Sequence, residues 1–591
     1  MAEDTVASSA KAIYDDLGGD SMLHDACFRV EEGHMTMEEA LAKTRALSTS
    51  CPRTIEIVGE IARTSPIELS EKDDGLTIRG GRISGGVVLD KWERDPRDDR
   101  FLRARLPEGA MPRMLIVDGR AQKLSVFPDN SFLEHKDGPL DLKWMNSANG
   151  GWNRPPTHHE LTHVHVDPED IPIGLVAGST EIRIYHSWDE STVPIKSFDR
   201  TSGEITLASP LTHPAGSFDK RIFQLVNIRE GMTHEGCWYF DADEGYIYYY
   251  PEQGAEDFHA VIPLVNTLIK INGASNITLM DIELSHCGSE RVSSGLRSAN
   301  LGGCVDIVDS SRIMLYSLKI HDSAGHGIKI VGSSTHRILR CEIFNMGGGG
   351  IFTHASEDEE ISGNEITDIG LFAYSSVGIH AGGRSMLVWV LDGKPEECGT
   401  TLILGNRIER CPYCAITCNG DGHIIENNEV IDFMQRLSDG AGIYVSRGRE
   451  VIVRRNYARA TLVGRPNKSY YFDEGGYKCV CEENQSLGVE SAYGDHRCRK
   501  MTVRKNHFES PGVLYLVFNN CRDYKIEENE FIAGARLVIA VPQDGIERVR
   551  SLVAFLKWHF RFKKNKLTAE SPVPLVVGYG EQIEAPRIKI N

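Results

Sequence analysis

One asparagine keeps returning through the second half of this 591-residue chain, each time after a short hydrophobic alternation. It stands in GNEI (Asn364), GNRI (Asn406), NNEV (Asn428), RNYA (Asn456), ENQS (Asn484), KNHF (Asn506), ENEF (Asn529) and KNKL (Asn565). From Asn406 onward the steps are 22, 28, 28, 22, 23 and 36 residues. Self-similarity at such a period is the signature of a stacked solenoid. The shorter steps match one turn of a three-sided parallel β-helix, and the longer ones add a loop. Asparagines stacked at one inward turn can bond each other and the backbone from rung to rung, satisfying polar groups that are costly to bury unpaired. The asparagines therefore read as structural, and earlier rungs are expected to put Asp281, Ser317 and Cys341 in the same slot.

A second strand follows each asparagine: Gly327 to Val331, Gly350 to His354, Gly378 to Gly382, Ala415 to Asn419, Gly442 to Ser446 and Tyr470 to Glu474. Side chains alternate along a strand, so Ile328, Ile351, Ile379, Ile416, Ile443 and Tyr470 should face the core. The outward set is then Lys329, Phe352, His354, His380, Thr417, Asn419, Tyr444, Ser446, Tyr471 and Asp473. Aromatic rings beside polar groups suit a sugar, which needs both stacking and hydrogen bonds.

Composition agrees with an all-β chain: Gly 57 against Pro 24, 41% hydrophobic and 8% aromatic residues. The net charge of -19 argues against nucleic acid as the main partner, since a phosphate backbone needs a positive field. Met1 to Leu17 lacks the basic start and apolar core of a secretory signal, and no window is apolar enough to span a membrane. Fourteen scattered cysteines show no disulfide framework. The expectation is a cytoplasmic protein, secreted if a signal was removed, free of membrane and able to form a homo-oligomer.

Three regions are expected. Residues 1–86 form an N-terminal cap, with a helix at Thr36 to Leu47, and the first rungs, including strands at Thr54 to Ile61 and Leu76 to Ile83. Residues 87–262 form an inserted antiparallel β-sandwich or barrel-like module, with strands at Met114 to Val117, Glu181 to Tyr185, Glu204 to Leu207 and Gly236 to Tyr250. Residues 263–591 form the main parallel β-helix, a pectate-lyase-like solenoid carrying a groove.

Glycosidic cleavage generally uses two carboxyl groups flanking the bond. Asp439, in the turn of LSDGAGIY, and Asp473, in SYYFDEGG, lie on neighbouring rungs. Strands stack about 4.8 Å apart, so one rung plus a lateral offset fits the required separation. Taken singly, each aspartate also reads as a turn residue capping its own backbone. Glu490 is a further candidate on the next rung.

At these residues the chain resembles bacterial right-handed β-helix glycosidases. AITCNGDGHIIENNEVIDF, DGAGIYVSRGREVIVRRN and YYFDEGGYKCVCEEN are similar to the corresponding parts of glycoside hydrolase family 141, which includes α-L-fucosidases and xylanases. GCWYFDADEGYIYYYPEQG, GGRISGG and PRMLIVDGRAQKLSVFP also resemble that architecture, so the resemblance spans about Leu76 to Asn565. It implies Asp439 and Asp473 as the catalytic pair, with His423, Tyr444 and Arg447 nearby. His354, His380, Asn419, Tyr471 and Glu474 complete the candidate sugar-binding set. The chain departs from the family at Ser446-Arg447-Gly448, where relatives often read Gly-Arg-Asp, and at Asp473-Glu474-Gly475, where they often read Asp-Asp-Gly.

No cofactor and no metal is expected. Cys411-Pro-Tyr-Cys414 falls in a turn between solenoid strands rather than at the helix N-terminus that thiol redox chemistry uses. His321, His326 and His336 lack metal-ligand spacing, and Gly347 to Gly350 lacks the lysine of a phosphate loop. The segment Ile546 to Trp558 reads as a helical insertion. Two other readings stand beside hydrolysis: a polysaccharide lyase or epimerase, which needs a basic group and a cation at a uronate, and a non-catalytic carbohydrate-binding solenoid.

Overall fold

The computed structural model describes residues 26–48, 51–138, 144–146, 151–152, 154–253, 257–382, 399–461, 468–542, 556, 558–578 and 581–584. The chain winds as a right-handed parallel β-helix of three strand stacks. One stack runs from Ala26–Glu31 through Arg53–Val58 and Leu76–Arg79, then from Thr278–Met280 to Phe560–Lys563, in parallel register throughout. A second carries the short strands after the asparagines, such as Arg407–Glu409, Glu429–Ile431 and Tyr457–Arg459. The third carries His326–Val331, Ile351–His354, Ile379–Gly382, Ile416–Asp421, Ala441–Arg449 and Lys468–Asp473. Ile328, Ile351, Ile379, Ile416, Ile443 and Tyr470 all enter the continuous apolar core, as their alternation predicts.

The N-terminal helix, Met37–Arg45, begins at Thr36, whose hydroxyl accepts from the Glu39 amide while the Glu39 carboxylate accepts from the Thr36 amide. Met37, Ala40 and Leu41 are buried in the solenoid core, so the helix covers an end that would otherwise open its apolar interior to water.

The asparagine ladder forms from Asn364 to Asn565. At every step the backbone amide and the Nδ2 of one asparagine donate to the Oδ1 of the next at 2.9 to 3.1 Å. The residue before each asparagine is left-handed, from Gly363 and Gly405 to Glu528 and Lys564. That turn leaves backbone groups facing the core, and the amide side chains satisfy them. Cys341 takes the slot, its amide donating to Asn364 Oδ1 at 2.9 Å. Asp281 and Ser317 do not. Strand register puts Ile282 and Leu318 there, both buried, while Asp281 and Ser317 are the left-handed residues one position earlier.

Between Gly86 and Pro263 the chain leaves the solenoid and builds antiparallel sheets. Gly86–Leu89 pairs with Ala260–Pro263 at the neck, so exit and return strands lie side by side. A Cβ at Gly86 would stand 2.4 Å from Val261 Cγ1, which explains glycine at the crossing. Glu181–Tyr185 pairs with Glu190–Asp199 and Ile222–Val226, and Cys237–Asp241 pairs with Tyr246–Tyr249. The segment Ile546 to Trp558 falls mostly outside the described residues.

Candidate functional site

Register in the third stack aligns the outward residues into columns. Lys329, Phe352, His380, Thr417, Tyr444 and Tyr471 form one; His354, Asn419, Ser446 and Asp473 lie in the next. The sequence reading makes this an open face, and here the structure differs. Phe352, His380, Thr417, Asn419, Tyr444 and Tyr471 are buried. The turn Leu296–Leu301 folds over the upper rungs: Lys329 Nζ donates to Ala299 and Leu301 carbonyls, and His326 Nε2 bonds the Ser298 carbonyl. Arg297, from the same turn, stands 5.8 Å from the Tyr444 ring. Residues 383–398 and 462–467, next to these rungs in the sequence, lie outside the described residues.

Asp473 is the centre of the lower end. Its Oδ2 accepts from the Tyr444 hydroxyl at 2.8 Å, and its Oδ1 meets His496 Nδ1 at 2.8 Å and the Glu474 amide at 2.7 Å. Burial by itself would raise this carboxyl, but His496, Tyr444 and the Glu474 amide override it and hold Asp473 below the usual range. The partner shift runs the other way: His496 is raised, its burial outweighed by the ion pair. Asp473 is thus an ionised carboxylate in a mostly enclosed site.

The neighbouring acids behave oppositely. Burial and the charge of Asp473 push Glu474 up to about 7, against a weaker pull from Arg447. Glu474 Oε2 is buried without a hydrogen-bond partner among the described residues. Asp439 is raised as well, first by the surrounding protein and then by Asp473, with Lys468 opposing from 3.7 Å. Protein crowds Asp439, yet 45% of its side chain remains accessible, so it faces the open part of the site. Lys468 also lies 3.9 Å from the Tyr471 ring centroid, and that ring meets Tyr444 edge-on at 5.1 Å.

The turn that carries Asp439 is braced from two sides. Tyr413 donates its hydroxyl to the Asp439 carbonyl at 3.0 Å. The Ser438 amide and hydroxyl both donate to the carbonyl of Ser187, in the hairpin between Glu181–Tyr185 and Glu190–Asp199 of the inserted sheets.

Of the expected residues, Tyr444, Tyr471, Asp473, Glu474, Asp439 and Arg447 come together, Arg447 through its field on Glu474. Asn419 stands in the Asp473 column, buried, with neither Oδ1 nor Nδ2 bonded among the described residues. His354 and His380 lie further up the face; His380 Nδ1 meets Thr417 Oγ1 at 2.8 Å, and burial holds that ring neutral. His423 is not brought to the site: Nδ1 accepts from the Thr401 amide and Nε2 donates to the Asn419 carbonyl, which makes it a stitch between rungs. Residues absent from the sequence reading are His496, Lys468 and Arg297. His496 was accessible to it, one rung beyond Asp473. Arg297 lies in an irregular turn that no periodicity marks.

The thiols of Cys411 and Cys414 are buried and raised, Cys414 to about 12, the reverse of a redox-active pair. Asp473, Glu474 and His496 each offer a ligand atom within 4.8 Å of the others. The Asp473 oxygens hold their donors, while Glu474 Oε2 has no partner among the described residues.

The family described as "Right handed beta helix region" matches residues 266–391. No curated protein sequence matches the chain. Among solved structures, one titled "Glycoside hydrolase" is similar with a TM-score of 0.61 at 17% identity, over 79% of this chain and 94% of that one. A GH136 lacto-N-biosidase from Eubacterium ramulus gives 0.34 at 14% identity, over 53% and 52%. A periplasmic alginate epimerase gives 0.27 at 12% identity, over 53% and 77%. Family match, strand register and the first of these likenesses agree on one architecture: the chain is a right-handed parallel β-helix.

Proposed function

We propose that this protein is a glycoside hydrolase acting on an oligo- or polysaccharide, in the manner of family 141 fucosidases and xylanases, with Asp439 and Asp473 as its carboxyl pair. The observation that carries the reading is the opposed tuning of acids in one site: Asp473 is held ionised by His496 and Tyr444, while Asp439 and Glu474 are pushed toward their protonated forms. Environments that drive neighbouring carboxyls apart assign the acid and the base. Asp439, the accessible acid, would protonate the leaving oxygen; Asp473 would act as base or nucleophile. Tyr444 and Tyr471 are buried and pack on each other, so they hold the shape of the site and Tyr444 orients Asp473, while Asp439 is the acid left accessible to a sugar. A solved structure titled as a glycoside hydrolase shares the fold over most of both chains, which supports the class without choosing the sugar.

The test is release of 4-nitrophenol from synthetic α-L-fucosides and β-D-xylosides by wild type, Asp439→Asn and Asp473→Asn. Each substitution should lower kcat by a factor of about 10² to 10⁴, the usual span for removing a positioned acid or base. Full activity in both variants would overturn the assignment. Lys468 and Arg297 favour one alternative, since cations beside a tyrosine suit a lyase or epimerase acting at a uronate. Ultraviolet absorbance of an unsaturated product would select the lyase, whereas binding of polysaccharide without turnover would select a carbohydrate-binding protein.

A further inference from the structure

The hairpin that braces the Asp439 turn contains a second group of ligand-bearing side chains. His186 and Asp189 lie in its turn, and His213 reaches them from the segment after Glu204–Leu207. His186 Nδ1 is 3.0 Å from Asp189 Oδ1, and His213 Nδ1 is 3.0 Å from Asp189 Oδ2. One ligand atom from each residue falls within 4.8 Å of the other two. The side chains of His186 and Asp189 are fully buried; that of His213 is 10% exposed and forms the solvent edge.

His186 is the unusual member. Both of its ring nitrogens are buried, and neither makes a hydrogen bond with any described residue, although Nδ1 is at hydrogen-bond distance from a carboxylate. Leaving a buried imidazole unsatisfied is costly, and native proteins rarely do so without a reason. A nitrogen that is close to an oxygen yet aligned past it is what two ligands of a common ion present. In a tetrahedral zinc site, bonds of about 2.0 to 2.1 Å put neighbouring ligand atoms about 3.3 Å apart, near the separations seen here. Trp188 and Phe218 pack beside the His213 ring and supply the dry shell that strengthens metal bonds.

We propose that His186, Asp189 and His213 bind one zinc-class divalent cation, with water in the fourth position at the His213 edge. The cation fixes the hairpin whose Ser187 carbonyl receives both Ser438 bonds, and so ties the inserted sheets to the turn that carries Asp439. It is separate from the carboxyl pair, and it stands or falls independently of the sugar chemistry.

The experiment uses the full chain, stripped with chelator and titrated with Zn²⁺ alone by calorimetry, with metal content read by mass spectrometry. One zinc per chain is expected, with affinity reduced more than about 100-fold in Asp189→Asn and in His213→Gln, beyond the range of outer-shell changes. His496→Ala should bind zinc as wild type does. Loss of zinc in His496→Ala would place the ion at Asp473 and Glu474 and overturn the proposal, as would wild type that takes up no zinc. Should either hairpin variant fail to fold, Co²⁺ decides on wild type and His496→Ala: both should give the visible spectrum of four-coordinate cobalt without thiolate charge transfer, and its absence from either refutes the site.

Discussion

At the scale of residues, the chemistry of the site follows from who donates to Asp473. Its carboxylate takes bonds from Tyr444, His496 and the Glu474 amide. Tyr444→Phe removes one donor to the ionised form, so the Asp473 pKa must rise. The acid limb of the kcat/KM profile should move to higher pH by about 1 unit, the worth of one hydrogen bond to a charge. An unmoved limb would mean that Asp473 does not control it. Glu474 carries the opposite sign. Its folded-state value of about 7 stands above the ordinary 4.5, so the folded protein keeps a proton that the unfolded chain releases. Its contribution to stability is therefore fully present below pH 4.5 and is lost as pH rises through 7. Glu474→Gln should leave Tm unchanged at pH 4 and raise it at pH 8, which two calorimetric scans per variant would check.

At the scale of elements, the ladder shows what periodicity can and cannot reveal. Asparagine in the slot was legible because its amide has one structural use there, repeated wherever the rung turns the same way. The earlier rungs misled by one residue: without an asparagine to mark the slot, the polar Asp281 and Ser317 look like its occupants, yet they supply the left-handed turn and the slot itself is apolar. Core-facing residues of the third stack were legible for the same reason that alternation always is. The turn Leu296–Leu301 was not, because its hold on the face rests on backbone carbonyls bonding Lys329 and His326 and on serine hydroxyls far apart in sequence, Ser298 with Ser375 and Ser376. Burying Asn456 satisfies the amides of Asn428 and the carbonyls of Ile425 and Arg454. Asn456→Ala strands these groups inside the core, at about 1 to 3 kcal/mol for each one left unpaired. Urea denaturation should show a loss of at least about 2 kcal/mol; a neutral result would make the ladder ornamental.

At the scale of the whole molecule, the site belongs to two parts of the chain that sequence alone does not bring together. Ser438 and Ser187 are 251 positions apart, and nothing in either segment announces the other. The inserted sheets sit on the solenoid through an apolar patch, Met114, Ile116 and Val261 against Leu301, Ala324 and Phe372, and through a cluster of charges beside it. Glu181 pairs with Arg113 at 3.1 Å and with Arg291 at 3.2 Å, and Arg291 also donates to the Gly178 carbonyl. Arg183, fully buried, donates to the Phe372 carbonyl and the Tyr374 hydroxyl, and Glu190 accepts from the Tyr374 amide. Such pairs contribute little beyond what a packed apolar contact would, but removing one partner leaves a buried charge without compensation, at about 3 to 5 kcal/mol. Glu181→Ala strands Arg113 on the inserted sheets and Arg291 on the solenoid. It should therefore weaken the junction more than either part, so that the tryptophan fluorescence and circular dichroism transitions lie further apart in urea than those of wild type. Because the Ser187–Ser438 brace crosses the same junction, kcat/KM should fall in this variant while the pH at which Asp473 titrates stays fixed. A fall accompanied by a moved acid limb would instead place Glu181 in the electrostatics of the site, and coincident transitions at lower urea would mean that the two parts unfold as one.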